Sequence, residues 1–407
     1  MSFSEPVPAV RPAPVDIRAL NHKRLAACRR MLAEAGYGAC VLFDPYNQRW
    51  ATGSRNMFLY FLRNATRYIY IPAKGPVICF DYPGSAHASL TVDTIDESRL
   101  AKLTWSAVQL QSRDRVHAFG KEIAELLNEH APGEKRVAVD RCSLAVARAL
   151  ESAGLTAVEC QEDLFRLRMV KMPEEILCLK ASMMATELAV NAVRDAIRPG
   201  VSEQKLHGLM TGRLIEEGGE FIETRLLSAG ARSNPWFNEA SDHRVSAGDL
   251  IALDTDAIGC NGYYADMSRT FHCGPGRPTG YQQSLYAMAH EQVHHNMSLI
   301  KPGVSFREIA GKAWPIPEKY VDLRYPTLLH GVGMHGEGPI IVHGPDWNNF
   351  SMDGVIEAGM TLAIESYVGE RGGMDGVKLE QQVVVTEGGI ELFSTYPFEE
   401  ELLVRHV

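Results

Sequence analysis

The sequence predicts two domains, a smaller α/β domain followed by a larger α+β domain. Three observations predict it. The chain has 407 residues, 45% of them hydrophobic, a length that favours more than one core. Up to about residue 165, short apolar runs alternate with helical periodicity. A charged stretch with a proline, Leu167–Glu175, then interrupts the pattern, and beyond it long helical patterns lead into strand-like runs that meet acidic residues. The expected divisions are a loose arm over 1–16, a first domain over 17–166 and a second over 167–407.

Each element has its own signal. Arg18–Ala35 has helical apolar spacing and stops near Gly36 and Gly38. Val41–Phe43 reads as a strand ended by a turn at Asp44–Asn47. Tyr68–Ile71 and Val77–Phe80 flank Pro72–Gly75, which predicts a hairpin. His117–His130 is helical, Val137–Val139 a strand and Ser143–Ser152 helical. Pro173 suits a first helical turn, with Glu174 and Glu175 at its positive end. That helix is expected to reach Ile197, and a second to cover Ser202–Gly218. Strands follow at Leu226–Ser228, Leu250–Asp254 and Tyr264–Phe271, and a helix at about Gln282–Ile300.

Composition removes several classes. Lys+Arg total 41 against 50 Asp+Glu, for a formal charge of −9. That argues against a nucleic-acid partner, which selects a basic face. Disorder, collagen-like repeats and a disulfide scaffold do not fit this composition. The eight cysteines form no C-x-x-C pair and read as reduced, in a cytoplasmic protein. No secretory signal and no membrane partner are expected, because the N-terminus lacks an apolar core region and no run of 18 apolar residues occurs.

The chemistry concentrates in the second domain. The apolar run Leu250–Leu253 leads into Asp254-Thr255-Asp256. On a strand the two acids would share a face. Gly259 and Gly262 suit a hairpin that folds Asp266 back beside Asp254. Three carboxylates packed together repel unless a cation or protons neutralise them. His330 lies among glycines, Glu365 ends the apolar run Met360–Ile364, and Glu380 precedes Val383–Val385. Acids at strand ends are costly to bury unpaired. Oxygen-rich donors with one histidine suit a hard divalent ion.

The order Asp254, Asp266, His330, Glu365, Glu380, with eleven residues between the two aspartates, resembles the superfamily of methionine aminopeptidase, prolidase, aminopeptidase P and creatinase. Gly262-Tyr-x-x-Asp-x-x-Arg-Thr270, His330-Gly-x-Gly333 and Glu357-x-Gly-Met-Thr361 match its motifs, and Asp44–Gly53 resembles the start of its N-terminal domain. The resemblance implies a C-terminal pita-bread domain behind a creatinase-like N-terminal domain. It also implies two divalent metal ions held by those five residues, and a homodimer. Iron, manganese, cobalt and zinc all suit such ligands.

Departures from the peptidases point to one branch. The peptidases have Gly where Asp256 stands, and Ser228–Phe237 lacks their substrate-binding histidine. Gly218–Leu227, Ser233–Phe237, Asp-Thr-Asp, Tyr325 five residues before His330, and Lys378-Leu379-Glu380 resemble the pita-bread dimethylsulfoniopropionate lyases. This implies that Asp256 is a further metal ligand and that the substrate is a small zwitterion. A sulfonium would sit over an aromatic face, with Trp236 and Tyr263 as candidates. The lyases place an aspartate base six residues after the metal histidine; here that position is Gly336. Tyr325, His335 and Glu337 are the candidate bases. The alternative is an Xaa-Pro dipeptidase or aminopeptidase-type metallohydrolase. A non-catalytic binding protein is disfavoured because all five ligands are present. His290-Glu291-Gln292-Val293-His294 spells the zincin H-E-x-x-H, but it reads as the polar outer face of a helix, as do His295 and Asn296.

Overall fold

The computed structural model describes residues 13–64, 66–103, 113–350 and 352–403. Most of the expected N-terminal arm lies outside them. The described chain forms two compact units that divide between Arg168 and Met169.

The N-terminal unit is a six-stranded mixed sheet with helices. Its strands are β1 (Ala39–Leu42), β2 (Tyr68–Pro72), β3 (Ile78–Asp81), β4 (Glu97–Leu100), β5 (Arg136–Val139) and β6 (Thr156–Glu159), in the order β4-β3-β2-β1-β5-β6. β2 and β3 form the expected antiparallel hairpin. The expected turn at Asp44–Asn47 is instead a helix start. Asp44 caps Pro45–Thr52 by accepting from Tyr46 N, with Pro45 in the first turn.

The C-terminal unit begins with helix Pro173–Ala196, where the Glu175 carboxylate accepts from Met172 N at 3.0 Å. This helix has the length and apolar composition of a membrane span, yet half of that stretch is buried inside the unit. Helix Glu203–Glu216 follows, capped by Ser202. Then come β7 (Phe221–Ile222), β8 (Leu227–Ala229), β9 (Leu250–Leu253), β10 (Ala257–Ile258), β11 (Tyr264–Ala265) and β12 (Arg269–His272). They form two small antiparallel sheets, β11-β10-β7 and β12-β9-β8. The expected strand Tyr264–Phe271 is thus split in two: Asp266–Ser268 leave the ladder and carry the site. A five-stranded antiparallel sheet completes the unit, in the order β14-β13-β15-β16-β17, from β13 (Thr327–Val332), β14 (Gly336–Val342), β15 (Thr361–Gly369), β16 (Gly376–Thr386) and β17 (Gly389–Leu392).

Helix Gly280–Ser298 covers one face of β15 and β16, and β9 and β12 approach β16. Both strands are therefore buried almost throughout. Alternation sends Ile364 and Leu379 into the core with that helix, and Glu365 and Glu380 to the other face. The two glutamates sit in mid-strand, directly opposite each other in register. They are not at strand ends, because both ladders run on past them.

Candidate metal centre

β9 ends at Leu253, so Asp254 and Asp256 do not share the face of a strand. They are brought together by a sharp bend in which Asp256 has φ 37°. Thr255 latches that bend to the hairpin: its hydroxyl donates to Ala265 O at 3.0 Å and accepts from Met267 N at 2.9 Å. Asp266 is held by its own backbone, whose N–H donates to Gln382 Oε1 at 2.9 Å. Two sets of ligand atoms result, Asp254/Asp256/Asp266 and Asp266/His330/Glu380, each within 4.8 Å. Asp266 belongs to both.

His330 lies on β13 with Nδ1 donating to Gly331 O at 3.0 Å, which turns Nε2 toward the carboxylates. Nε2 faces Asp266, Glu365 and Glu380 at 3.4, 3.6 and 3.9 Å. Residue 331 must be glycine: a Cβ there would stand 1.8 Å from Gly338 O. Lys378, fully buried, bonds to Glu365 and lies 3.3 Å from both Asp254 and Glu380. Ser268 Oγ joins Asp254 and Glu380 at 2.8 and 2.7 Å.

Lys378 thus meets three of the five clustered carboxylates. Burial and Asp254 push Asp266 up to about 6, and burial and Asp266 raise Glu380 well above the carboxylate range. Burial works against Asp254 too, but Lys378 and Ser268 outweigh it and lower it. Asp266 Oδ1 and Glu380 Oε1 are buried with no hydrogen-bond partner. Orphaned carboxyl oxygens beside a histidine nitrogen supply, once deprotonated, the donor set of a divalent cation.

The candidate bases and aromatics are placed as follows. Glu337 is buried and ion-paired with Lys171 at 2.8 Å, so its charge is already neutralised. Tyr325 lies with its ring 4.6 Å from Lys378 Nζ, and burial and Glu365 push its phenol far above its usual value. His335 is half-buried, and its Nδ1 donates to Gly336 O at 2.5 Å. Trp236 is core, packed on Tyr367 and Ala252. Its neighbour Phe237 is 55% exposed and lies 5.6 Å from the Tyr325 ring. Tyr263 does not face the carboxylates: it is buried with its hydroxyl on Glu175 at 2.9 Å. Tyr264 reaches Asp256 instead, because successive side chains on extended backbone point to opposite sides. Sequence reasoning assigned no role to Thr224, Thr255, Tyr264, Ser268 or Phe237, although each lies inside a segment that carries the resemblance.

Of the H-E-x-x-H histidines, His290 is half-buried and His294 is exposed on the outer face of the helix. His290 and His294 stack at 3.9 Å, and Phe398 lies edge-on to His290 at 4.8 Å. Burial and His294 push His290 down to about 4. Asn296, expected to be solvated, is buried and accepts from Trp314 N at 2.9 Å.

This fold and this carboxylate–histidine centre define a class. The chain belongs to metallopeptidase family M24, which it matches over residues 178–387, behind a creatinase/prolidase N-terminal domain over 24–170. The fold is shared with an Xaa-Pro dipeptidase from Bacillus anthracis (TM-score 0.75, 21% identity, 93% of this chain and 99% of that one). It is shared also with the prolidase from Pyrococcus furiosus (TM-score 0.72, 20% identity, 91% and 99%). Within the family the chain stands near the dimethylsulfoniopropionate lyases. It is 34% identical over 401 residues to dimethylsulfoniopropionate lyase DddP of Roseovarius nubinhibens, covering 96% of this chain and 89% of that protein. With the same lyase of Roseobacter denitrificans it shares 33% over 398 residues, 95% and 87%. The Xaa-Pro dipeptidase of Lactobacillus helveticus is 31% identical, but over 56% of this chain and 61% of its own length.

Two outcomes follow from this geometry. An unfolded aspartate titrates near 3.9, so the raised Asp266 favours the metal-free fold at low pH. That contribution is complete below the unfolded value and is lost as pH rises through about 6. A cation needs the ionised form, so Mn²⁺ uptake releases a proton and tightens over the same window. Calorimetry in two buffers should show at least ~10-fold tighter binding at pH 7 than at pH 5; a flat profile would remove Asp266 from the ligand set. Separately, Lys171→Met strands the buried Glu337 charge. It should cost about 3–5 kcal/mol in urea unfolding, and a loss under ~1 kcal/mol would show the pair to be solvated.

Proposed function

We propose that this chain is a metal-dependent carbon–sulfur lyase that converts dimethylsulfoniopropionate, or a small zwitterion of the same plan, to dimethyl sulfide and acrylate. Asp256 carries the reading. It adds a third carboxylate beside Asp254 and Asp266 in a chain similar along nearly its whole length to two dimethylsulfoniopropionate lyases. The Xaa-Pro dipeptidase alternative rests on sequence matches to little more than half of the chain and on a fold shared at 20–21% identity.

In the proposed centre Asp254, Asp256, Asp266, His330, Glu365 and Glu380 hold two divalent ions of the Fe, Mn, Co or Zn type. Bound there, the ions would polarise the substrate carboxylate and acidify its α-hydrogen. Lys378 keeps Glu365, Glu380 and Asp254 oriented. Phe237 and Tyr325 offer ring faces to the sulfonium. His335 takes the α-proton on Nε2, since its Nδ1 already carries the hydrogen donated to Gly336 O. The C–H electrons become the alkene, the C–S pair leaves on sulfur, and the products are dimethyl sulfide, acrylate and a proton. The eight unpaired cysteines support a cytoplasmic location, and the family resemblance supports a homodimer.

Headspace dimethyl sulfide from folded, Mn²⁺- or Fe²⁺-loaded protein tests this. Asp254→Ala should abolish release, and His335→Gln should lower kcat about 10²-fold or more. No gas from loaded wild type would sink the substrate and move the test to Xaa-Pro dipeptides. Undiminished release from His335→Gln would sink the base.

A further inference from the structure

Asp256 occupies a backbone conformation that suits glycine. Its φ of 37° lies in the left-handed region, where a Cβ crowds the backbone. Burial, Asp254 and Asp266 all oppose its charge as well. Something must therefore hold it. Thr224 Oγ1 donates to one carboxylate oxygen and the Tyr264 hydroxyl to the other. The main chain is pinned too, with Glu223 N donating to Asp256 O at 2.9 Å. The β10 pairings set this up: Ala257 stands opposite Ile222 on one side and Ala265 on the other. Thr224, just beyond β7, and Tyr264, in β11, thus arrive on both sides of Asp256. The carboxylate held between them has an oxygen within 4.8 Å of ligand atoms of Asp254 and Asp266.

We propose that Thr224 and Tyr264 are positioning residues, a pair of hydroxyls that fix a strained Asp256 as the sixth ligand of the centre. The inference rests on the two-ion reading above. It makes Asp256 a trade: a position that destabilises the metal-free fold and is used because it completes a cation site. Without the hydroxyls the carboxylate would be free to rotate away from two like charges.

The test uses the full chain stripped by chelator and titrated with Mn²⁺. Its readouts are bound Mn²⁺ per chain, affinity, and the thermal midpoint of the metal-free protein. Asp256→Gly should raise the metal-free midpoint by about 2–4 °C by releasing strain and repulsion. It should also weaken the second ion at least ~10-fold. Thr224→Val with Tyr264→Phe should weaken the second ion by about 10–100-fold. The same pair placed in Asp256→Gly should weaken it no further, and Thr224→Ser should keep wild-type affinity. A merely structural role would give the same decrement in both backgrounds, and that result overturns the proposal. So does a hydroxyl-free variant that binds two ions as tightly as wild type. A wild-type protein that binds no divalent ion overturns the two-ion reading and this inference with it, whereas failure of the hydroxyl variants alone leaves that reading standing.

Discussion

Gly336→Asp should raise dimethyl sulfide release, by about 10- to 100-fold in kcat, within the range of a general base. Position 336 is exposed at the start of β14, without a left-handed φ. A Cβ built there meets the His330 ring at 3.8–3.9 Å, an ordinary contact. A carboxylate at this point would stand beside His330, a proposed ligand. The sequence resemblance to the dimethylsulfoniopropionate lyases implies an aspartate base at this position, six residues after His330. In Gly336→Asp the loss caused by His335→Gln should shrink to a few-fold, because the new carboxylate supplies the base. Initial rates from both single variants and the double variant decide it. An unchanged rate in Gly336→Asp would show that proton removal is not limited by the base at this edge.

Asp266→Asn should abolish activity, by at least ~10³-fold, while making the metal-free protein more stable. The residue belongs to both ligand sets, so removing its charge weakens both ions. It is buried, and burial and Asp254 oppose its ionisation, so the neutral isostere removes an electrostatic cost above pH 6. The expected signature is crossed: a higher thermal midpoint without metal, and little further rise on adding Mn²⁺, where wild type rises strongly. Metal content by mass spectrometry and melting with and without Mn²⁺ read both arms. Two retained ions in Asp266→Asn would overturn its place in the centre.

The fold class and the candidate ligand types were legible in the sequence because they rest on local signals. Apolar periodicity marks strands and helices within a few residues, and Pro173 with Glu175 marks a helix start. The candidate ligands stood out because carboxylates are rare in apolar runs. Local signals misled where an aspartate had two uses: Asp44 read as a turn residue and is a helix cap.

What the sequence by itself offered, then, was the candidate donors and the order in which they arrive: Asp254, Asp256, Asp266, His330, Glu365 and Glu380. Only the tertiary structure decided which groups they meet. Lys171 comes from before the first long helix of the unit to neutralise Glu337. Trp236 is taken into the core while Phe237 stays exposed. Tyr264, and not Tyr263, reaches Asp256. Each outcome depends on charge pairing or packing between segments distant in sequence, or on which side of a short strand faces the carboxylates. Those energies are set by three-dimensional neighbours, and a reading of local pattern has no access to them.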